Sequence, residues 1–256
     1  ISKKKPAGKK KGKALLSRKD FIQIAGATGA AAVFTQLITS GPLSPDAIQG
    51  IGGRSHQNGE SESKYRWCMG IDLSACVGCQ YFVWACQATN DVPDDDMRWN
   101  IGFPEQTQNG TEFFMTRPCL HCEEPPCEKV CPVGATWKRQ DGIVVMDYKR
   151  CIGCRYCQVA CPYDVRRFNF EASTSKNNPY EPTWGSPEIE RRPRGVVEKC
   201  TFCNHRIDRG LALGLVPGID REATPACVNI CPVNARVFGE HNDPDSPISR
   251  FVQEND

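Results

Sequence analysis

The run CIGCRYCQVACP places Cys151, Cys154, Cys157 and Cys161 at a C-x2-C-x2-C-x3-C spacing and closes on Pro162. Three other groups repeat parts of that pattern. They are Cys119, Cys122, Cys127 and Cys131; Cys200, Cys203, Cys227 and Cys231, with a long insertion before the last pair; and Cys76, Cys79 and Cys86. Together the groups use fifteen of the sixteen cysteines and leave Cys68 outside. Three closing cysteines precede a proline (Pro132, Pro162 and Pro232), which fixes the backbone where the chain leaves the group. The first group is incomplete. The run CVGCQYFVWAC has Phe82 where the spacing of the third group calls for a cysteine.

Cysteines at random spacing would read as a disulfide scaffold, but neighbours in one tight loop bridge only with strain. Zinc also takes C-x2-C pairs, yet its sites rarely use a third cysteine in the same short loop followed by Cys-Pro. The spacing suits an iron–sulfur cubane, which needs four thiolates at tetrahedral corners. One C-x2-C-x2-C loop wraps three corners, and the fourth ligand comes from a partner motif. Iron is well served by soft sulfur ligands. No Ser-His-Asp set or carboxylate pair is placed for catalysis, so the chain is expected to carry electrons rather than transform a substrate.

These loops need short rigid elements around them. YRWCMGIDL and GIVVMDYKRC read as strands feeding cysteine loops, each followed by a turn and a short helix. The expected fold class is α+β. Spacers near 92–115 and 169–197 lack cysteine and read as surface insertions, the second as a loop that contacts a partner. Apolar residues make up only 39% of the chain, which suits a loop-rich body held by metal crosslinks. The net charge of +2 argues against a nucleic-acid partner.

The N-terminal part differs. Residues 1–20 form a basic region, and FIQIAGATGAAAVFTQLIT opens an uncharged stretch that reaches Pro45. Residues 21–40 are expected to form a signal-anchor or transmembrane helix, retained rather than cleaved. SRKDFIQ resembles a twin-arginine export signal with Lys19 in place of the second arginine. Residues 41–64 are rich in Gly, Ser and Pro and read as a linker. Residues 65–256 form the cysteine-bearing body, with outer motifs at 76–86 and 200–231 and inner motifs at 119–131 and 151–161.

From about Tyr65 to Arg250 the body resembles the four-cluster, ferredoxin-like iron–sulfur subunits of membrane-bound oxidoreductases. These include polysulfide, thiosulfate, tetrathionate and DMSO reductases, and a Dsr-type membrane complex. PCLHCEEPPCEKVCPVGAT, RCIGCRYCQVACPYDVRRFNF, VVEKCTFCNHRID and PACVNICPVNARVFG carry the match. The resemblance implies two ferredoxin-like bi-cluster units with loop insertions. It also implies crossed ligand sets. Cys119, Cys122, Cys127 and Cys161 would hold one [4Fe-4S] cluster, and Cys151, Cys154, Cys157 and Cys131 a second. Cys200, Cys203, Cys227 and Cys86 would hold a third, leaving Cys76, Cys79 and Cys231 for the site with Phe82.

Three outcomes stay open at that fourth site. They are a [3Fe-4S] cluster, recruitment of Cys68 as fourth ligand, or a site with a non-cysteine ligand or none. The first is the expectation. His121 and His205, and basic residues such as Arg155, Arg166, Arg167, Lys199 and Arg206, are candidates for tuning cluster potentials or are ordinary surface charge. The resemblance further implies an integral membrane quinone-interacting subunit as one partner. The other partner would be a molybdopterin catalytic subunit, or a multihaem cytochrome in the Dsr-like case. The site with Phe82 would face that second redox partner. The expected location is the extracytoplasmic (periplasmic) face of the cytoplasmic membrane. A free ferredoxin carrier is the alternative.

Overall fold

The computed structural model describes residues 63–93, 97–170 and 184–255. The basic region, the expected helix at 21–40 and all but the end of the linker lie outside the described residues. Among the described residues no helix is long and apolar enough to cross a membrane.

Each cysteine loop is held between short elements. Strand β1 (Trp67–Ile71) leads to the first loop, and α1 (Tyr81–Asn90) carries Cys86. The hairpin β2 (Ile101–Gln106) and β3 (Glu112–Arg117) leads to the second loop, with α2 (Pro126–Lys129) carrying Cys127. Strands β4 (Thr136–Lys138) and β5 (Val144–Met146) join it to the third, where α3 (Tyr156–Val159) carries Cys157. Strands β6 (Arg167–Phe168) and β7 (Val197–Glu198) join that to the fourth. There α4 (Asn204–Ala212) follows Cys203, and α5 (Ala226–Asn229) carries Cys227. Strand β8 (Arg236–Glu240) and α6 (Pro247–Asn255) end the described chain.

The strands form four two-stranded antiparallel sheets: β1–β8, β2–β3, β4–β5 and β6–β7. The β1–β8 pair ties the two outer motifs together across everything between them, and β4–β5 joins the two inner motifs. Helix α6 packs on β1 and β8. Ring stacking continues the core inward, with Trp67 and Phe238 at 5.8 Å between centroids. Proline at the first position of α2 suits a helix start, where its missing N–H leaves no bond unmade.

The two spacers do more than cover the surface. The first begins with buried Val92 and Trp99 before its exposed hairpin. The described end of the second, from residue 184, is fastened to its own chain. Arg191 pairs with Asp91 at 2.6 Å, Arg192 with Glu198 at 2.9 Å and Glu188 with Arg206 at 2.7 Å. Those side chains are committed within the chain, while residues 171–183 of the expected partner loop lie outside the described residues.

Gly153, inside the third cysteine loop, has φ of 68°, and a Cβ there would fall on the Gly195 carbonyl oxygen. Gly142 has φ of 88° but open space around it. The left-handed conformation alone costs an L-residue about 1–2 kcal/mol. Gly153→Ala should therefore lower the urea midpoint of unfolding more than Gly142→Ala. Equal losses would show that the close approach at Gly195 does not matter.

Candidate metal centres

The first and third loops have one backbone shape. Gly78 and Gly153 both have φ of 68°, and Gln80 and Arg155 both have 62°. The helices α1 and α3 start directly after those two residues. Position 82 in α1 therefore corresponds to Cys157 in α3. The exits match as well: Gly134, Asp164 and Asn234, three residues after Cys131, Cys161 and Cys231, are all left-handed. Each donates its N–H to the carbonyl of that cysteine. Gly, Asp and Asn are the residues that tolerate this conformation.

Three of the four expected cysteine sets each line a cavity. One cavity is lined by Cys76, Cys79 and Cys231 with Phe82. A second is lined by Cys86, Cys200, Cys203 and Cys227, and a third by Cys119, Cys122, Cys127 and Cys161. In the fourth set Cys151 acts electrostatically on Cys157. Helix α2, which leads to Cys131, packs against α3, which carries Cys157. None of the sixteen cysteines is in a disulfide. Among the described residues no three His, Cys, Asp or Glu side chains converge as the ligands of a single ion do. The thiols stand around cavities instead, as ligands of a many-atom cluster must.

The sets also form a row. Phe82 packs in one core cluster with Cys227, linking the first cavity to the second. Cys119 acts on Cys200, linking the second to the third, and Cys127 and Cys157 share a core cluster with Val144 and Val197. The order is thus Cys76/Cys79/Cys231, then the Cys200 set, the Cys119 set and the Cys151 set.

The thiols are poor anions as they stand. Burial pushes Cys86 well above its ordinary range, and Cys200, Cys203 and Cys227 add to the rise. Cys203 is pushed up to about 11, again chiefly by burial. Coordination to a metal deprotonates such thiols outright. Two cavities each lined by four thiols and one by three, with cationic side chains near their sulfurs, fit iron–sulfur clusters in donor type and number.

The first cavity departs from that pattern in one place. Its other lining residues are Ile71, Val77, Val233, Ala235 and Arg236. None offers a lone pair, since arginine has no acceptor and stays protonated. Cys68 is no substitute. Side chains alternate along β1, and Met69 and Ile71 line the two cavities on one face. Cys68 shares the opposite face with Gly70, which lies against Phe251 and Ile248 of α6. Burial raises its thiol pKa, as for a small buried hydrophobe.

The candidate tuning residues divide. Arg166 and Lys199 are buried among thiols. His121 is buried, with Nδ1 accepting the Val144 N–H at 3.0 Å and Nε2 left without a partner. Burial and then the Lys199 and Arg166 charges hold its pKa well below the usual histidine range, so the ring is neutral. His205 instead lies 3.3 Å from Glu188. Arg206 pairs with the same carboxylate and also acts on Cys203. Arg167 pairs with Asp164, and Arg155 covers Phe168 and Phe170. Arg236, absent from the sequence-level candidates, is buried with its guanidinium 4.1 Å from the Phe82 ring centroid. Its signal was present, because CPYDVR and CPVNAR each place an arginine five residues after the closing cysteine.

Two family models described as 4Fe-4S dicluster domains match residues 111–178 and 150–235. The chain is 35% identical to the Hdr-like menaquinol oxidoreductase iron-sulfur subunit 1 of Archaeoglobus fulgidus, over 94% of this chain and 91% of that one. It is 39% identical to the iron-sulfur cluster-binding subunit of menaquinone reductase of Nitratidesulfovibrio vulgaris, over 72% and 79%. With the electron transfer subunit of thiosulfate reductase of Salmonella typhi it shares 38% identity, over 71% and 78%.

Proposed function

The chain belongs to the family of iron–sulfur subunits built from 4Fe-4S dicluster domains, and from that premise we propose that it is the electron-transfer subunit of a membrane-associated oxidoreductase complex. Single electrons pass through it between a quinone-linked membrane subunit and a second redox subunit. The observation that supports this is the row of three cysteine-lined cavities, with Cys151 and Cys157 of the fourth set beyond them. Clusters bound there would supply one-electron storage at closely spaced points.

The chain's own residues hold and insulate those points. Cys200, Cys203, Cys227 and Cys86 would ligate one [4Fe-4S] cluster, and Cys119, Cys122, Cys127 and Cys161 another. Cys151, Cys154, Cys157 and Cys131 would ligate the third. Cys76, Cys79 and Cys231 would ligate a [3Fe-4S] cluster, because their cavity offers no fourth donor and Phe82 fills its place. The two end sets are flanked by exposed apolar side chains: Val77, Tyr81 and Trp84 at one, Ile152, Tyr156 and Val159 at the other. Partners would approach there, with the site at Phe82 toward the second redox subunit.

That subunit is a molybdopterin enzyme or, as the Hdr-like relative's extensive match favours, a redox subunit of a menaquinol oxidoreductase. The basic region followed by an uncharged stretch supports anchoring at the extracytoplasmic face of the membrane. Anaerobic purification of the full chain with its partners tests the reading. We expect brown protein, extraction only with detergent, and co-purification of a membrane subunit. A colourless zinc-containing chain, or a loaded chain released without detergent and alone, would sink it.

A further inference from the structure

We infer that Arg236, Lys199 and Arg166 occupy the three gaps between successive cluster sites, one cation to a gap, and raise the potentials of the clusters on either side. All three are buried, at 4%, 0% and 1% exposure. Among the described residues none of them forms an ion pair with a carboxylate, whereas buried Arg192 does. A buried charge with no counter-ion is costly, so the anions these three face are the thiolates and their clusters.

Their placement follows the row. Arg166 Nη2 donates to Cys127 Sγ at 2.9 Å, and the same guanidinium lies within electrostatic reach of Cys157. It thus joins the Cys119 set to the Cys151 set. Lys199 donates its ammonium to the carbonyls of Val144 and Cys200 and lies within electrostatic reach of Cys119, Cys200 and Cys127. It stands between the Cys119 and Cys200 sets. Arg236 donates Nη1 to Met69 Sδ at 3.9 Å, lies within electrostatic reach of Cys227 and lines the cavity of Cys76, Cys79 and Cys231. Its Nη2 is buried without a protein partner.

Arg166 and Arg236 are equivalent by position, each five residues after a closing cysteine. Cys157 and Cys227 are equivalent electrostatic neighbours of the two guanidiniums, each the helix-borne cysteine of its motif. The other neighbour differs: Arg166 has the Cys127 sulfur, while Arg236 has the Phe82 ring. The ring's negative face takes the place of a thiolate, so the cation survives the loss of the cysteine. Reduction adds one negative charge to a cluster, and a fixed cation in a water-poor interior favours that state with little screening. A cation in each gap favours both neighbours, which keeps adjacent potentials together.

The inference rests on the four-cluster reading, which iron and sulfide analysis of the unaltered chain tests separately. The deciding experiment is an EPR-monitored redox titration of the loaded full chain. Arg166→Gln should lower the potentials of the two clusters around it and leave that at Cys76/Cys79/Cys231 in place. Arg236→Gln should lower the other end pair, Lys199→Gln the middle pair, and Arg166→Lys should stay near the unaltered values. No shift, or one uniform shift of all four clusters in every variant, overturns the inference. If the glutamine variants do not load, Arg166→Met, Lys199→Met and Arg236→Met are titrated in their place, since methionine keeps an apolar stem and removes the charge without stranding an amide. The same paired downward shifts are expected, and no shift or one uniform shift rejects the idea.

Discussion

With the proposed three irons at Cys76, Cys79 and Cys231, Phe82→Cys should turn that cluster into one of four. The protein would gain one iron per chain. The paramagnetic signal of the oxidised three-iron cluster would disappear, because an oxidised four-iron cluster is silent. The backbone is ready for the change: the loop at Gly78 and Gln80 repeats the angles of the loop at Gly153 and Arg155. Position 82 already faces the cavity beside the three thiols. What the substitution removes is packing. Phe82 is 6% exposed and touches a small cluster with Val83 and Cys227, and emptying a buried phenylalanine site costs about 3–5 kcal/mol. A fourth iron–thiolate bond, with cluster atoms filling the same space, offsets that loss. Phe82→Leu separates the two effects, since it keeps an apolar side chain and offers no ligand. It should retain the three-iron signal. A signal that survives Phe82→Cys unchanged would show that position 82 does not face the vacant corner. Absence of the signal from the unaltered oxidised protein would remove the three-iron reading itself.

What the sequence made legible was local. A C-x2-C-x2-C loop carries its geometry in its spacing, so the four motifs and the gap at Phe82 could be read directly. The proposed exchange of Cys86, Cys131, Cys161 and Cys231 between motifs was not visible in spacing and came from the family resemblance; the structure brings Cys86, Cys161 and Cys231 to the cavities it requires. It depends on pairings such as β1 with β8, which join residues far apart in the chain. Cys68 shows how one structural fact closes a question that sequence leaves open. Only the strand's two-residue alternation, fixed by Gly70 against Phe251, turns that thiol away from the site. The spacers are largely at the surface, as expected, but the residues that fasten them were not legible. Trp99, Arg192 and Glu198 are buried as a group, and nothing in a local window distinguishes a buried arginine from a solvated one. Arg236 was missed for the same reason, although the repeat of arginine after Cys-Pro was there to be counted.

That buried group carries the second large effect. Glu198 is fully buried and accepts from Arg192 Nε at 2.9 Å and from Trp99 Nε1 at 3.1 Å. Arg192 also donates to the carbonyls of Asn90 and Asp91 at the C-terminal end of α1 and covers the Trp99 ring at 4.6 Å. One guanidinium therefore fastens the second spacer, the first spacer and the helix that carries Cys86. Arg192→Met should leave the Glu198 carboxylate buried with only neutral donors, a loss of about 3–5 kcal/mol. Those helix-end carbonyls, which favour a cation, would go unpaired too. Because α1 carries Cys86, the cluster set of Cys200, Cys203 and Cys227 should be the first to fail. In urea the visible absorption should bleach at lower concentration than in the unaltered protein, with the EPR signal of that cluster fading before the others. Removing the stranded charge should restore much of the loss, so Arg192→Met with Glu198→Gln should withstand more urea than Arg192→Met alone. If the double variant is no better than the single one, the cost lies in lost packing rather than in an unpaired buried charge. If Arg192→Met bleaches with the unaltered protein, the guanidinium does not hold these three segments together.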